Sequence, residues 1–169
     1  GVKIDELFLT PAKAKPLYEC IQSIYNADYI ILGPGSLYTS VIPNLLVNKI
    51  SSAIRRSSAY KVYISNIMTQ PGETDGFTAS DHLKTIQKYG GKDIVECVIA
   101  NCGNISDELK EKYNKEGAEL VKLDEDNIRS QGVDLITGNL IKIESGFVKH
   151  DADYLAQILV EAIMEKQLL

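Results

Sequence analysis

Two polar loops contain most of the residues in this sequence whose types could bind a ligand. In the first, Gly33-Pro34-Gly35-Ser36 follows an apolar run, and a helix beginning near Thr39 would offer free N–H groups and a positive dipole end to phosphate. The stretch lacks the glycines of a dinucleotide fingerprint or a nucleophile elbow and the Gly-Lys-Ser/Thr of a P-loop. Spacing therefore leaves a ligand loop and a tight turn both open. The hydroxyl side chains slightly favour a ligand: Ser36, Tyr38, Thr39 and Ser40.

The second loop, residues 65–76, reads SNIMTQPGETDG and is too polar and too rich in turn formers to be a regular element. Asn66, Thr69 and Gln70 could hydrogen-bond a base or a sugar, and Glu73 and Asp75 could hold Mg²⁺. The alternative is that these side chains only satisfy the backbone of their own turns. For the two acids, the turn reading is the stronger one.

Histidine and cysteine chemistry is poorly supported. The chain has two histidines, His82 and His150, and neither lies in a zinc-like or triad-like spacing. His82 falls in the first turn of a predicted helix, where a positive charge is disfavoured, so we expect it to be neutral. The three cysteines, Cys20, Cys97 and Cys102, form no CxxC pair and are expected to be buried thiols.

The elements that must position these loops alternate between strands and helices. Apolar runs predict strands at residues 4–9, 29–32, 60–64, 93–100, 118–123, 132–137 and 140–143. Helices are predicted at residues 16–26, 51–57, 79–89 and 107–116 and after Asp151, with capping boxes starting at Thr78 and Ser106. The continuously apolar run 29–32 is typical of a strand covered on both sides.

This order predicts an α/β sandwich around a mainly parallel sheet. Ligands of such sheets bind beyond the carboxyl ends of the strands, so both loops should lie at one edge.

Length and composition exclude several classes of protein. The 169 residues fit one α/β domain, and 44% hydrophobic with 24% charged residues is an ordinary globular composition. A formal net charge of -5 supplies no basic face for nucleic acid or an anionic membrane. Because no apolar run approaches the length of a membrane span, we expect a cytoplasmic protein.

The helix predicted at residues 107–116 is mostly a solvated face with Glu-Lys pairs one turn apart. Tyr113 on this helix could stack on a base, although burial against Leu109 is the commoner use of such a residue.

Three segments together carry a family resemblance: ADYIILGPGSLYTSVIPNLLV (residues 27–47), NIMTQPGETDGFTASDHL (66–83) and ISDELKEKY (105–113). They resemble the YvcK-like gluconeogenesis factor family, which is related to CofD, the 2-phospho-L-lactate transferase. The resemblance extends over essentially all 169 residues. Family members are longer and begin with a glycine-rich loop that this sequence lacks, so residues 1–169 resemble the carboxy-terminal part of a longer CofD-like domain.

The resemblance implies a three-layer α/β/α, Rossmann-like fold and a cytoplasmic regulator that requires no cofactor. The implied ligand is a UDP-sugar such as UDP-N-acetylglucosamine, or NAD. The implied role is in cell shape and wall synthesis during growth on gluconeogenic carbon, with protein partners in cell-wall regulation. Homo-oligomerisation and enzymatic turnover stay open, and a CofD-type, Mg²⁺-dependent phospholactyl transfer is the alternative.

Carried over by residue, the resemblance implies that the loop from Gly33 to Ser40 and the turn from Asn66 to Thr69 face the ligand. Tyr113 matches a family tyrosine associated with nucleotide-sugar binding. Where the family often has Arg-His, this chain has Lys149-His150, which keeps the charge but loses the bidentate guanidinium. Under the transferase alternative, Glu73 and Asp75 are the acids available for Mg²⁺.

Overall fold

A four-stranded parallel sheet forms the centre of the fold. The computed structural model describes the backbone of residues 4–167 and the side chains of residues 4–164. The sheet contains β1 (Tyr29–Leu32), β2 (Tyr60–Ile64), β3 (Cys97–Asn101) and β4 (Asp134–Gly138), hydrogen-bonded in that order. The register places Val62 beside Ile31 on one side and beside Cys97 on the other. The predicted parallel sheet is confirmed.

Seven α-helices accompany the sheet within the described residues. They are α1 (Tyr18–Asn26), α2 (Ile42–Leu46), α3 (Ile50–Arg56), α4 (Ala79–Gly90), α5 (Asp107–Lys115), α6 (Glu125–Arg129) and α7 (Ala152–Gln167). The short α6 was not predicted from the sequence. No helix in this part of the chain is both long and apolar enough to cross a membrane.

The two faces of the sheet pack into separate cores, because successive strand side chains point to opposite sides. Tyr63 and Val98 pack on one face, in a cluster that includes Leu83 and Ile86 of α4. Val62, Ile64, Cys97 and Ile99 pack on the other face against Leu155 and Ile158 of α7. Helices therefore cover both faces, and the three-layer α/β/α architecture is confirmed.

The beginning of α4 is fixed by its cap and by a second helix. Asp81 N donates to Thr78 Oγ1 at 3.3 Å, and Thr78 N donates to Asp81 Oδ2 at 3.1 Å, which completes the predicted capping box. Ser80 adds bonds from its N and Oγ to the Asp124 carboxylate at the start of α6. Ser106 caps α5 by accepting a hydrogen bond from Leu109 N. The reciprocal bond of a capping box is missing, because the third residue of that helix is Leu109, whose side chain cannot accept one.

A hairpin follows the sheet and does not extend it. Its strands are β5 (Ile141–Glu144) and β6 (Phe147–His150), which pair antiparallel with each other. Ser145 (φ 52°) and Gly146 (φ 75°) form the two-residue turn in the left-handed conformation that favours hairpins. The prediction that residues 140–143 close the main sheet is wrong, and β6 was not predicted at all.

Two further strand predictions are wrong. Residues 4–9 form no strand, because Leu7 N donates to the hydroxyl of Tyr89 at 2.8 Å and Ile4 and Leu7 pack on the core as irregular chain. Residues 118–123 make only isolated bridges, Leu120 to Met68 and Lys122 to Thr78, because a loop and not a strand lies beside them.

Two other predictions need adjustment. The coverage predicted for both faces of β1 is not seen in the described residues, where Ile31 is 43% exposed. The strand predicted at residues 93–100 starts only at Cys97, after a 3₁₀ turn over Lys92–Ile94.

Candidate functional site

The carboxyl ends of the four parallel strands bring four loops to one edge of the molecule. β1 leads into Gly33, β2 into Ser65, β3 into Cys102 and β4 into Asn139. The two loops singled out from the sequence therefore lie at the same edge, as predicted.

Side-chain hydrogen bonds join the first loop to the second. Asn66 Nδ2 donates to Gly35 O at 3.1 Å, and Gln70 Nε2 donates to Ser36 Oγ at 2.8 Å. Tyr63 supports this junction from β2 by donating its hydroxyl to Asn66 Oδ1 at 3.4 Å. The structure thus brings Gly35, Ser36 and Asn66 together, and they form one connected polar rim.

The GPG stretch lines a groove of about 310 Å³ between β1 and the helices that follow it. Gly33 has φ +89°, and a Cβ at this position would lie 3.0 Å from Ile64 O, so the turn requires glycine. The other contributors to this groove include Pro34, Gly35, Ser40 and Asn44. The stretch is therefore both a tight turn and a cavity wall.

The helix predicted near Thr39 is a short π turn, Leu37–Val41, that continues into the five-residue α2. Ser36 O accepts hydrogen bonds from Ser40 N at 2.9 Å and from Val41 N at 3.0 Å. The anion site expected at the N-terminus of this element stays a prediction. Thr39 is exposed beside the loop.

Two residues that the sequence placed against the ligand are buried instead. Tyr38 is 6% exposed and packs in the first core cluster, where burial raises the pKa of its hydroxyl. Thr69 is 3% exposed, and its Oγ1 accepts from Glu119 N at 2.9 Å. Tyr38 contributes to the core, and Thr69 ties the second loop to residues 118–120, so neither side chain is exposed at the ligand edge of this structure.

The loop acids do not form a metal centre by themselves. Asp75 Oδ2 accepts from Gly72 N at 2.8 Å, which closes a turn inside the second loop. Glu73 is half-buried, and its Oε2 has no hydrogen-bond partner within the described residues. The described side chains contain no group of three or more His, Cys, Asp or Glu that could hold a metal ion.

His82 is a buried, neutral residue, as the sequence predicted. It is 0% exposed, its Nδ1 lies 2.8 Å from Thr78 O, and its ring meets Phe77 edge to face. Removal from water lowers the pKa of its imidazole. Because Thr78 O can only accept, Nδ1 carries the proton and Nε2 stays an unprotonated acceptor.

A second cavity, of about 500 Å³, lies between the beginning of α5 and the hairpin. Apolar side chains of Ile105, Leu109, Ile141 and Ile143 line it, together with polar residues that include Asn104, Ser106 and Lys112. Sequence reasoning missed this cavity. The available signal was the position of residues 102–106 after a parallel strand, which places them at the ligand edge.

Asn101, at the end of β3, ties together the two chain segments that lead into the walls of this cavity. Its Oδ1 accepts from Gly103 N at 3.0 Å and from Leu140 N at 3.1 Å, and its Nδ2 donates to Gly103 O at 3.0 Å. A Cβ on Gly103 would lie 1.9 Å from Asn139 Oδ1, so this position accepts only glycine without rearrangement. One buried amide thereby connects the loops that lead into the two cavity walls.

Tyr113 and Lys149 both lie at the hairpin. The Tyr113 hydroxyl accepts from Val148 N at 2.8 Å. Lys149 pairs with Glu144 on the exposed face of the hairpin, whereas Val148 and His150 point to the half-buried face. The structure therefore separates the Lys149 ammonium from the Tyr113 hydroxyl and does not bring either to the first loop.

His150 connects the hairpin to the second loop. Its Nε2 lies 3.2 Å from Ser65 O, and burial lowers the pKa of the imidazole. The first loop, the second loop and the hairpin thus form a continuous edge.

Comparison with known proteins identifies relatives for this arrangement. The family model described as "2-phospho-L-lactate transferase CofD" matches residues 1–141. A protein named "Gluconeogenesis factor" from Halalkalibacterium halodurans is 47% identical over 95% of this chain and 50% of its own length. The protein of the same name from Bacillus subtilis is 41% identical over 98% of this chain and 52% of its own length.

A solved structure shares the fold. The crystal structure of a Bacillus halodurans protein, described as a member of the UPF0052 family, is 47% identical and superposes with a TM-score of 0.90. The match covers 92% of this chain and 50% of that one. The chain thus spans about half the length of the relatives it matches.

Proposed function

Because the chain belongs to the CofD family, we propose that it forms part of a gluconeogenesis factor that binds a nucleotide sugar of the UDP-N-acetylglucosamine type. The bound state would regulate carbon metabolism and cell shape during growth on gluconeogenic carbon, in the cytoplasm. NAD is the second ligand of the same chemistry, since it also combines a base, a ribose and a diphosphate.

The observation that carries this proposal is the joined rim of the first two loops. Neutral amides and hydroxyls of Ser36, Asn66 and Gln70 supply both donors and acceptors, which suits the hydroxyl groups of a sugar or the edge of a base. These groups lie at the ligand edge of the sheet, which supports a binding role for the rim.

Calorimetry on the full-length protein with UDP-N-acetylglucosamine tests the proposal. Replacing Asn66 with Ala removes the bond to Gly35 O, and we expect about a fivefold loss of affinity, the value of one net hydrogen bond. Asn48→Ala is the matched control, because Asn48 is exposed and lies away from the loop rim. Absence of saturable binding by the wild-type protein would contradict the proposal.

The regulatory part of the proposal needs a cellular test. A Bacillus subtilis strain without its own gluconeogenesis factor should recover growth and rod shape on gluconeogenic carbon when it carries the full-length protein. The Asn66→Ala variant should complement less well at equal protein level. If a variant that no longer binds the ligand complemented as well as the wild type, ligand binding would not be required for regulation.

A CofD-type transfer of a phospholactyl group is the second candidate, and the family match over residues 1–141 favours it. Glu73 and Asp75 would then contribute oxygen ligands to Mg²⁺ together with the phosphates of the donor. The assay is Mg²⁺-dependent release of the nucleotide from a guanosine-linked phospholactyl donor in the presence of a deazaflavin alcohol. No release at high enzyme concentration would exclude this candidate.

A further inference from the structure

A cavity of about 460 Å³ lies at the edge of the sheet opposite the ligand edge. Its lining comes from the segments that lead into the beginnings of β2, β3 and β4. The volume lies within the range of about 300–1,000 Å³ that is usual for small-molecule sites. Most of the lining residues are polar or charged, and the two valines among them, Val95 and Val133, are buried. Such a lining suits a ligand without an apolar body.

One end of this cavity carries two positive charges that no described residue neutralises. The side chains of Arg55, at the end of α3, and Lys92 make no ion pair within residues 4–164. A Cβ on Gly91 would lie 3.1 Å from Arg55 Cζ, so the guanidinium rests against the backbone that leads into Lys92. A guanidinium with free N–H groups can bind a phosphate through two parallel hydrogen bonds. This end of the cavity is therefore suited to an anion.

A buried lysine separates this end from the rest of the cavity. The side chain of Lys61 is 8% exposed, and its Nζ donates to Glu96 Oε2 at 3.1 Å. The backbone N–H of Lys61 donates to the same oxygen, also at 3.1 Å. Because the ammonium neutralises this carboxylate, Glu96 opposes an anion at the Arg55 end less than a free acid would.

The other end of the cavity, at the beginning of β4, carries hydrogen-bond acceptors. Asp134 Oδ2 accepts from the Tyr60 hydroxyl at 3.3 Å, and a carboxylate can accept further hydrogen bonds. Gln131 Nε2 donates to Asn127 O at 2.8 Å, whereas Gln131 Oε1 is buried and has no partner within the described residues. An acceptor left in this state is costly, and a ligand hydroxyl bound at this end would supply the missing donor.

We propose that this cavity is a second binding site, for a phosphorylated sugar. Arg55 and Lys92 would hold the phosphate, whose two negative charges match their two positive charges, and the sugar hydroxyls would donate to Asp134 and Gln131. An acid with an apolar body would find no apolar wall, and a simple anion would leave the acceptor end unused. The inference does not depend on the proposed function, because no residue of the first two loops lines this cavity.

Three variants of the full-length protein test the site. Arg55→Gln and Lys92→Gln each remove one of the two charges that would hold the phosphate. The matched control is Arg56→Gln, because Arg56 is the next residue of α3, is exposed and does not line the cavity. Thermal unfolding verifies that each variant is folded before binding is measured.

The first measurement is calorimetry with glucose 6-phosphate as the probe. We expect saturable binding by the wild type and a loss of about tenfold or more in Arg55→Gln and in Lys92→Gln, the factor that one hydrogen bond to a charged group supplies. Arg56→Gln should stay within about twofold of the wild type, because a charge outside the cavity contributes only screened attraction. No saturable binding by the wild type, or losses of equal size in Arg55→Gln and Arg56→Gln, would overturn the inference.

The second measurement separates the two ends of the cavity and the two sites of the protein. Inorganic phosphate should bind at least about tenfold more weakly than glucose 6-phosphate, because it makes no bonds at the acceptor end. Equal affinity would overturn the assignment of a sugar. UDP-N-acetylglucosamine should not compete with glucose 6-phosphate, and competition would place the phosphate at the ligand edge and overturn the inference. If the wild type does not bind UDP-N-acetylglucosamine, the proposed function fails, whereas the comparison of Arg55→Gln with Arg56→Gln still decides whether this cavity is a site.

Discussion

Replacing Asn101 with Ala is expected to be the most damaging change of a polar residue at the ligand edge. The side chain is 8% exposed and makes three hydrogen bonds, to Gly103 N, Gly103 O and Leu140 N. Alanine removes all three and offers no replacement. The buried groups left behind determine the cost.

The magnitude follows from where each partner lies. Leu140 is 0% exposed, so its N–H would lose its acceptor without access to water, at a cost of about 1–3 kcal/mol. Gly103 is only half-buried, so water can replace part of its two bonds, at about 0.5–1 kcal/mol each. Together these terms predict a loss of about 2–5 kcal/mol in the free energy of unfolding.

Urea unfolding of the full-length protein, followed by circular dichroism, measures this loss. The control is Asn104→Ala, because Asn104 is exposed and, among the described residues, its Oδ1 accepts a single bond, from Ile105 N at 2.9 Å. We expect the control to lose less than about 1 kcal/mol. A change below about 0.5 kcal/mol in Asn101→Ala would refute the argument that this amide holds the segments at Gly103 and Leu140 together.

Two other predictions concern α4. Burial lowers the pKa of His82 from its ordinary value of 6.5, so the unfolded chain binds a proton as the pH falls below about 6.5 while the folded chain does not. As the pH is lowered from about 6.5 towards the lowered pKa, the free energy of unfolding should therefore decrease. This decrease should be smaller in His82→Gln. An equal decrease in both proteins would contradict the assignment of His82 as a buried, neutral residue. Thr78→Ala removes the cap acceptor for Asp81 N and should cost about 1 kcal/mol in urea unfolding, with recovery in Thr78→Ser. Loss of the same size in both Thr78 variants would mean that the hydroxyl is not what stabilises the helix.

The sequence predicted the elements that depend on local patterns. Thr78 and Asp81 have the spacing of a capping box, and the carboxylate of Asp151 caps α7 by accepting from Tyr154 N at 3.2 Å. Residues 60–64 were predicted as a strand from their imperfect alternation, and they form one with four of the five residues buried. Such signals lie within a few residues of one another.

Strand predictions failed where the outcome depends on a distant partner. Residues 118–123 are apolar enough for a strand, but the chain beside them is the second loop, so only Leu120 and Lys122 form bridges. Residues 4–9 satisfy their backbone partly through Tyr89, which lies 82 positions from Leu7. A hydrophobic pattern indicates that a segment is buried. It does not indicate which neighbouring chain accepts the hydrogen bonds of that segment.

In the candidate site, too, general rules predicted the position of the loops, whereas contacts between distant residues could not be predicted. The sheet rule placed the first two loops at one edge, and the bonds from Asn66 to Gly35 and from Gln70 to Ser36 lie there. Residue type alone could not show that the Thr69 hydroxyl is committed to Glu119 N, because that contact crosses 50 positions of sequence.

The role of Tyr113 illustrates why residue type underdetermines mechanism. A tyrosine on a solvated helix is compatible with stacking on a base, with burial, or with a hydrogen bond accepted by its hydroxyl. The bond from Val148 N selects the last of these, and it depends on the turn at Ser145 and Gly146, which returns β6 to α5. Sequence reasoning did not predict β6, so it could not assign the tyrosine a structural partner. The partner of the Tyr113 hydroxyl could therefore be identified only from the structure.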